Sequence, residues 1–297
     1  MPLDHHPDHV PVPKRRFEYD HFQIRTLTPH IGAEIRGLDL STPLSDEEHK
    51  ELRRALHDWM VLVFPEQALN ADQHKDLGRR FGDLHVHPQL RGAKIPHPEI
   101  LPVHTNADSP FTPGDGWHAD VTCEEIPLWG SMLYIRETPT CGGGDTLYAN
   151  MYMAYELLSD PIKGLLEGLS AVHDGAGPYS EQQAMGIGLP TPGEEFPSCE
   201  HPVVVRHPDT GRKLLYVNSA FTTHIVGLSA AESRGLLDLL FHHIASTHKL
   251  HCRVHWAPNT LTFWDNLCTQ HHAIWDYYPH SRVGGRVSIL GQARPSA

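Results

Sequence analysis

Long apolar runs, paired cysteines and an excess of positive charge are all missing from this chain of 297 residues. Without about eighteen consecutive apolar residues, no helix is expected to span a membrane. The five cysteines are scattered and form no C-x-x-C pair, which indicates reduced thiols rather than a disulfide framework or a zinc ribbon. The formal net charge of −12 argues against nucleic acid or an anionic membrane surface as a partner. A small-molecule partner and a cytoplasmic location are therefore expected.

The domain organisation is expected to be simple. Residues 1–16 are rich in histidine, proline and aspartate without an apolar run, so we expect a disordered leader rather than a signal peptide. Residues 17–297 are expected to form one catalytic domain, because β-rich folds of this length occur as single units. The pattern leaves the choice between a monomer and a homo-oligomer open.

Three capping boxes predict helix starts, at Ser45, Asn70 and Ser229. Each precedes apolar residues spaced for one buried face, and the second helix is expected to end near Phe81. Residues 60–64 read as a buried strand that stops at Pro65.

Strand patterns dominate the rest of the chain. They cover Trp129–Ile135, Val203–Arg206, Lys213–Val217, Cys252–Trp256, Leu261–Trp264 and Arg286–Leu290. Turn residues at 208–211 predict a hairpin between two of these strands. Many short strands with a few flanking helices predict a mainly β fold, a double-stranded β-helix or jelly roll.

Residues 173–200 differ from their surroundings, because they are crowded with glycine, proline and polar residues and lack sustained periodicity. Such a segment inside a compact domain is typical of a lid or binding loop, with a plain surface insertion as the alternative.

One H-x-D motif is a candidate metal site. Two imidazoles and one carboxylate on one face of iron(II) leave the opposite face open for a bidentate co-substrate and dioxygen. Matches to the motif include His6–Asp8, His118–Asp120 and His207–Asp209. The first lies in the expected leader and the third in a glycine-containing turn. His118 and Asp120 are therefore the predicted ligands, with a third histidine expected far downstream.

Four segments carry a family resemblance: Trp117–Thr122, Gly143–Thr146, Trp264–Asn266 and Thr269–His271. In order and approximate spacing they resemble the taurine dioxygenase group of 2-oxoglutarate-dependent oxygenases, which includes alkylsulfatases and aryloxyalkanoate dioxygenases. The resemblance implies an enzyme that uses Fe(II), 2-oxoglutarate and O2. It would hydroxylate a substrate carbon beside sulfur or oxygen, so that the product falls apart, with succinate and CO2 as co-products.

The resemblance also implies the third metal ligand. The family's histidine directly follows Thr-Gln, which selects His271 and not its neighbour His272.

A dianionic co-substrate needs a cation at its far carboxylate, and a guanidinium is a planar, always-charged partner for it. By the resemblance this cation is Arg282, with Thr146 as a hydroxyl partner for the same carboxylate. Arg286 points to the same face of an extended strand as Arg282. In the family the second arginine reaches into the site, and we assign it to both the co-substrate and the substrate's anionic group.

Substrate residues are also implied by the resemblance. His87 stands where taurine-binding members carry a histidine for the sulfonate, and Phe221 matches an aromatic wall. Leu90 replaces a tyrosine and Gly114 replaces an asparagine that surround the amino end of taurine. A small anion with a more apolar tail is therefore expected: another sulfonate, an alkyl sulfate or an aryloxyalkanoate, with taurine itself as the alternative.

Two other classes of protein use the same three ligands. One is a non-catalytic jelly-roll protein with a structural metal, which prefers four protein ligands. The other is a zinc hydrolase with a bound water. The first of these gives Arg282 and Thr146 no role.

Overall fold

The computed structural model describes residues 11–12, 15, 18–87, 90, 94–112, 114–184 and 196–297, without the side chains of 181–184. The described chain is mainly β with a few helices. The strands are β1 Gln23–Thr26, β2 Ala33–Arg36, β3 Val61–Phe64, β4 Ile100–Thr105, β5 Leu128–Glu137, β6 Thr146–Asn150, β7 Ser170–Asp174, β8 Ser198–Pro202, β9 Val204–Arg206, β10 Lys213–Leu215, β11 Thr222–Ile225, β12 His251–Val254, β13 Thr260–Asp265, β14 Thr269–Ala273 and β15 Arg282–Leu290. The helices are α1 Asp46–Trp59, α2 Ala71–Arg79, α3 Met151–Glu156, α4 Asp160–Leu166, α5 Ala176–Ala184 and α6 Ala230–Ser246.

A seven-stranded sheet in the order β1-β2-β3-β13-β5-β15-β4 forms the larger layer. Its pairs are antiparallel except for the parallel pair β2 and β3. Every residue of β3 and β13 is buried, as expected of central strands covered on both faces.

Smaller sheets complete the fold. Three strands pair in the order β12-β6-β14, three in the order β11-β7-β8, and β9 pairs with β10 in the hairpin predicted around 208–211. One core cluster joins Val61 and Ile135 of the large sheet to Tyr148 of β6, so apolar side chains fill the space between these two sheets. A second cluster packs Leu56 of α1 and Leu77 of α2 against the large sheet.

The three predicted helix starts are confirmed. Ser45, Asn70 and Ser229 each accept the backbone N–H of the residue three positions on, with the reciprocal bond also present. Helix α2 ends at Arg79, earlier than expected, because the N–H of Phe81 bonds to the Gly78 carbonyl in a tighter 3₁₀ turn.

Strand β15 begins at Arg282, four residues before the predicted start. The sequence pattern did not indicate this part of the strand, because Gly284 and Gly285 have low strand propensity. Their small size is required there, because a Cβ on Gly284 would lie 2.4 Å from the carbonyl oxygen of Tyr134 on β5. The register also shifts between Val283 and Gly284.

Residues 173–200 lack sustained periodicity in the sequence, but both ends of the segment form regular structure. Strand β7 pairs antiparallel with β8, and α5 follows β7 directly. Pro178 lies in the first turn of α5, where its missing N–H costs no helical bond. Residues 185–195, most of the expected leader, and residues 88–89, 91–93 and 113 lie outside the described residues. Among the helices described, none combines the length and apolarity that crossing a membrane requires.

Candidate active site

The backbone brings together the two histidines that are predicted to be metal ligands. His118 forms an antiparallel bridge with His271 of β14, in which each N–H donates to the other's carbonyl at 3.0 and 2.7 Å. The two imidazole centroids lie 4.1 Å apart. A stretch of chain before β5 and a strand near the carboxyl end thus meet at one point.

Asp120 completes a three-residue cluster with these histidines. Its Oδ1 lies 3.9 Å from His118 Nε2 and 3.8 Å from His271 Nε2. One ligand atom from each of the three residues lies within 4.8 Å of the other two. Two imidazole nitrogens and one carboxylate oxygen are the donor set of a facial iron(II) site.

Neighbouring groups orient two of these side chains. His118 Nδ1 donates to the Gly116 carbonyl at 2.9 Å, which leaves the Nε2 lone pair for a metal. On Asp120, Arg286 Nη1 donates to Oδ1, and Ser131 Oγ donates to Oδ2 at 3.2 Å. The carboxylate is therefore held before any metal binds.

The electrostatics favour the protonation state that a divalent metal needs. Burial by itself would raise the pKa of Asp120, but Arg286, His271 and His118 hold it well below its usual range. Burial lowers the pKa of both His118 and His271. At neutral pH the cluster therefore consists of one carboxylate and two neutral imidazoles.

The third H-x-D motif lies elsewhere. Asp209 stands in the β9–β10 hairpin and pairs with Arg53 and His57 of α1 at 3.1 and 3.2 Å. His207 faces Asp265 instead, with its Nε2 2.9 Å from Oδ2. The structure thus separates His207 and Asp209 rather than letting them converge.

His207, Asp265 and Cys268 form a second buried group with metal-ligand spacing. Hydrogen bonds account for its polar atoms. Asp265 Oδ1 accepts the N–H groups of Leu267 and Cys268, and His207 Nδ1 accepts those of two hairpin residues. The group is a satisfied polar network that ties the hairpin to the turn between β13 and β14.

Arg282 is one of the buried charged residues of the protein. The residue is 3% exposed, and its Nε and Nη2 have no hydrogen-bond partner among the described residues. The guanidinium lies 5.2 Å from the ring centroid of Trp256, whose Nε1 donates to Thr146 Oγ1 at 3.1 Å. A buried guanidinium without an anion is costly, so this environment fits the far carboxylate of a dianionic co-substrate.

The residues predicted for the substrate border a small apolar cluster. His87 is buried, and its ring packs edge-on against Tyr179 with centroids 6.1 Å apart. Phe221 contacts the same tyrosine edge-on at 6.1 Å. Val121, next to Asp120, belongs to the cluster with Tyr179 and Phe221. Tyr179 comes from α5 in the expected lid segment, and sequence reasoning missed it because no motif marks it.

Leu90 and Gly114 have different settings. Leu90 is half-buried, and its N–H donates to the His87 carbonyl at 2.8 Å. Gly114 has φ +86°, and a Cβ there would lie 3.0 Å from His118 Cε1. A side chain at position 114 would therefore press on the imidazole of His118, which a sequence pattern does not reveal.

Residues 23–288 match the model of the taurine catabolism dioxygenase TauD, TfdA family. The chain belongs to this family. It is therefore an oxidoreductase of the 2-oxoglutarate-dependent dioxygenase class, which uses Fe(II), 2-oxoglutarate and O2. The resemblance drawn from the four sequence segments is confirmed.

Three similar proteins illustrate the range of the family. An alpha-ketoglutarate-dependent sulfonate dioxygenase of Saccharomyces cerevisiae is 35% identical over 268 residues, which cover 86% of this chain and 63% of that protein. An alkylsulfatase of Acinetobacter baylyi is 32% identical over 291 residues, covering 93% of this chain and 87% of that protein. The crystal structure of a taurine dioxygenase from Burkholderia xenovorans superposes with a TM-score of 0.80 at 33% identity, covering 94% and 92% of the two chains.

Proposed function

We propose that His118, Asp120 and His271 bind Fe(II), and that Arg282 and Thr146 bind the far carboxylate of 2-oxoglutarate. The observation that carries this proposal is the convergence of three metal-type donors in a fold that also buries a guanidinium with unpartnered donors. Together with O2, the two bound groups supply the oxidising power for hydroxylation, and 2-oxoglutarate leaves as succinate and CO2.

The protein's own part is to bind, orient and exclude water. Arg286 already contacts Asp120, so its guanidinium reaches the edge of the cluster where a substrate anion would approach. With His87 it provides donors for a sulfonate, sulfate or carboxylate head. Phe221 and Tyr179 provide an apolar wall, and closure of the segment that carries Tyr179 would keep water out.

The substrate is therefore proposed to be a small organic anion with an uncharged tail. Leu90 offers no polar group, and Gly114 has no side chain, so an ammonium at the far end of the substrate would stay unpaired at a high cost. Hydroxylation beside the heteroatom of a sulfonate, alkyl sulfate or aryloxyalkanoate would lead to C–S or C–O cleavage.

The double-stranded β-helix is part of the same proposal. The apolar core between the seven-stranded sheet and the sheet of β12, β6 and β14 supports it. We also propose that the segment between β7 and β8 acts as a lid. The contacts of Tyr179, which comes from that segment, with His87 and Phe221 support this role. The cytoplasmic location and the lack of nucleic-acid and membrane partners stay predictions, and the choice between a monomer and a homo-oligomer stays open.

A substrate panel tests the function. Purified protein with Fe(II), 2-oxoglutarate and O2 is offered taurine, alkylsulfonates, alkyl sulfates and aryloxyalkanoates, and succinate is measured. We expect succinate in step with one second product: sulfite from a sulfonate, sulfate from an alkyl sulfate or a phenol from an aryloxy acid. Release of a second product without 2-oxoglutarate would contradict the proposal and favour a hydrolase.

A further inference from the structure

Tyr148 lies at the centre of the site but has no role in the function described so far. It stands on β6 directly opposite His271 of β14 and two residues after Thr146, so all three side chains share one face of the sheet. Its ring stacks on the His271 imidazole, with centroids 5.9 Å apart and planes 28° apart. The tyrosine is thus placed between the proposed metal ligand and the proposed co-substrate pocket.

The hydroxyl of Tyr148 needs an acceptor. The residue is 0% exposed, and its Oη has no hydrogen-bond partner among the residues that the structure describes. A buried hydroxyl without a partner is unfavourable, and buried polar groups in proteins are nearly always paired. The hydroxyl is therefore expected to be satisfied by a group that arrives with a ligand.

The charges around this hydroxyl indicate the sign of that ligand. A phenol keeps its proton at neutral pH, so the Tyr148 hydroxyl can donate a hydrogen bond. Arg282 belongs to the same pocket, because its guanidinium lies 5.2 Å from the ring centroid of Trp256, whose Nε1 donates to Thr146. Asp120 is less suited as its partner, because Arg286 and Ser131 already donate to that carboxylate.

We propose that Tyr148 is a further 2-oxoglutarate-binding residue, whose hydroxyl donates a hydrogen bond to the same far (C5) carboxylate as Arg282. This rests on the proposed function. The Tyr148 hydroxyl and the Arg282 Nε and Nη2 are all buried donors without partners among the described residues. Together they are complementary to a carboxylate, which has enough lone pairs to accept from each of them. Thr146, on the same face as Tyr148, completes the set.

Tyr216 provides a matched control. Its hydroxyl is also buried and lacks a partner among the described residues. Its ring, however, packs against His173 and His201, each with centroids 5.5 Å away. Tyr216→Phe therefore removes the same group from the same kind of setting, outside the co-substrate pocket.

The test measures binding rather than turnover. Calorimetric titration of 2-oxoglutarate into the Mn(II)-loaded protein should give a dissociation constant about tenfold to a hundredfold higher for Tyr148→Phe than for wild type, the effect of one hydrogen bond to a charged group. Tyr216→Phe should bind within about twofold of wild type, and Mn(II) affinity and melting temperature should not fall in either variant. A Tyr148→Phe variant that binds 2-oxoglutarate as wild type does overturns the inference.

A truncated 2-oxo acid locates the contact. 2-Oxobutyrate lacks the C5 carboxylate, so its affinity should be the same for wild type and Tyr148→Phe. Equal weakening of both ligands would overturn the assignment to the far carboxylate. If the wild-type protein binds Mn(II) but not 2-oxoglutarate, the proposed function fails and takes this inference with it; if only the variant comparison fails, the proposed function stands.

Discussion

The side chain of Asn266 forms hydrogen bonds with both the N–H and the carbonyl of Asp120. Its Oδ1 accepts the Asp120 N–H at 2.9 Å, and its Nδ2 donates to the Asp120 carbonyl at 3.0 Å and to the Leu128 carbonyl at 3.2 Å. Asn266 lies in the turn between β13 and β14, three residues before the strand that carries His271. One turn thus fixes the positions of Asp120 and His271 relative to each other.

Asn266→Ala is expected to weaken metal binding. Loss of a group that orients a ligand typically lowers metal affinity by about 10- to 100-fold. Titration of the apoprotein with Mn(II) measures this directly. Asn70→Ala is the control, because it removes the N-cap of α2 and should cost about 1 kcal/mol of stability while leaving Mn(II) affinity unchanged. Equal Mn(II) affinities in the two variants would contradict the assigned role of Asn266.

Asp120→Ala and Asp209→Ala compare two of the H-x-D motifs that the structure describes. Asp120→Ala should abolish substrate-dependent succinate formation, because it removes the carboxylate donor of the cluster. Asp209→Ala should leave activity close to wild type and cost at most about 1 kcal/mol, since its ion pairs with Arg53 and His57 are partly exposed. Loss of activity in Asp209→Ala alone would mean that the wrong motif has been chosen.

Arg282→Gln should raise the 2-oxoglutarate requirement by about two to three orders of magnitude, because breaking a buried ion pair costs roughly 3–5 kcal/mol. Thr146→Val should weaken the binding free energy of 2-oxoglutarate by about 1 kcal/mol or slightly more. Arg53→Gln is a matched control, since Arg53 also stacks on a tryptophan, Trp129, at 5.0 Å but lies on α1. Binding titrations of 2-oxoglutarate give all three values, and an unchanged value for Arg282→Gln would refute its assignment.

Acid should destabilise the protein through buried neutral histidines. Burial lowers the pKa of His74 on α2 to about 4, and its Nε2 bonds to the Met132 carbonyl at 3.1 Å. Between pH 6.5 and 4 the unfolded chain binds a proton at this residue and the folded chain does not, so its contribution is intact above pH 6.5 and declines as the pH falls.

The residue's share of that loss is about 2 kcal/mol at pH 5. His74→Gln, which keeps a donor for the Met132 carbonyl, should therefore lose less free energy of unfolding than wild type between pH 7 and pH 5 in urea titrations. His224→Gln, at an exposed position on β11, is the control for replacing a histidine by glutamine. An identical pH dependence for His74→Gln and wild type would count against the burial effect.

Local chemistry explains why some elements could be predicted from the sequence. The capping boxes at Ser45, Asn70 and Ser229 depend only on residues three apart, and all three begin helices. Asp209 could be set aside because its turn residues explain it locally. The proposed iron ligands could be named from motif order because several separated segments agreed.

The remainder depends on contacts between distant parts of the chain. In the sequence Gly284 indicates a break in a strand. In the folded chain it lies within a strand, where the close approach of Tyr134 leaves no room for a side chain. Tyr179 falls in a segment rich in glycine and proline, and only packing against His87 and Phe221 brings it to the site. Tyr148 looks like a core tyrosine in sequence, because a missing hydrogen-bond partner is a property of the folded interior.

Taurine is expected to be a poor substrate compared with an alkylsulfonate of similar length that lacks the amino group. The half-buried side chain of Leu90, whose N–H bonds to the His87 carbonyl, offers nothing to an ammonium, and desolvating that charge is costly. Leu90→Tyr should narrow the difference by adding a hydroxyl near His87, seen as a fall in the ratio of kcat/KM for the alkylsulfonate to that for taurine. Gly114→Asn is a less clean test, because its Cβ would press on His118 and disturb the metal cluster. Sulfite released in step with succinate gives both rates. If taurine proves the best of the panel for the wild-type protein, the interpretation of Leu90 and Gly114 is wrong, whereas the family membership is unaffected.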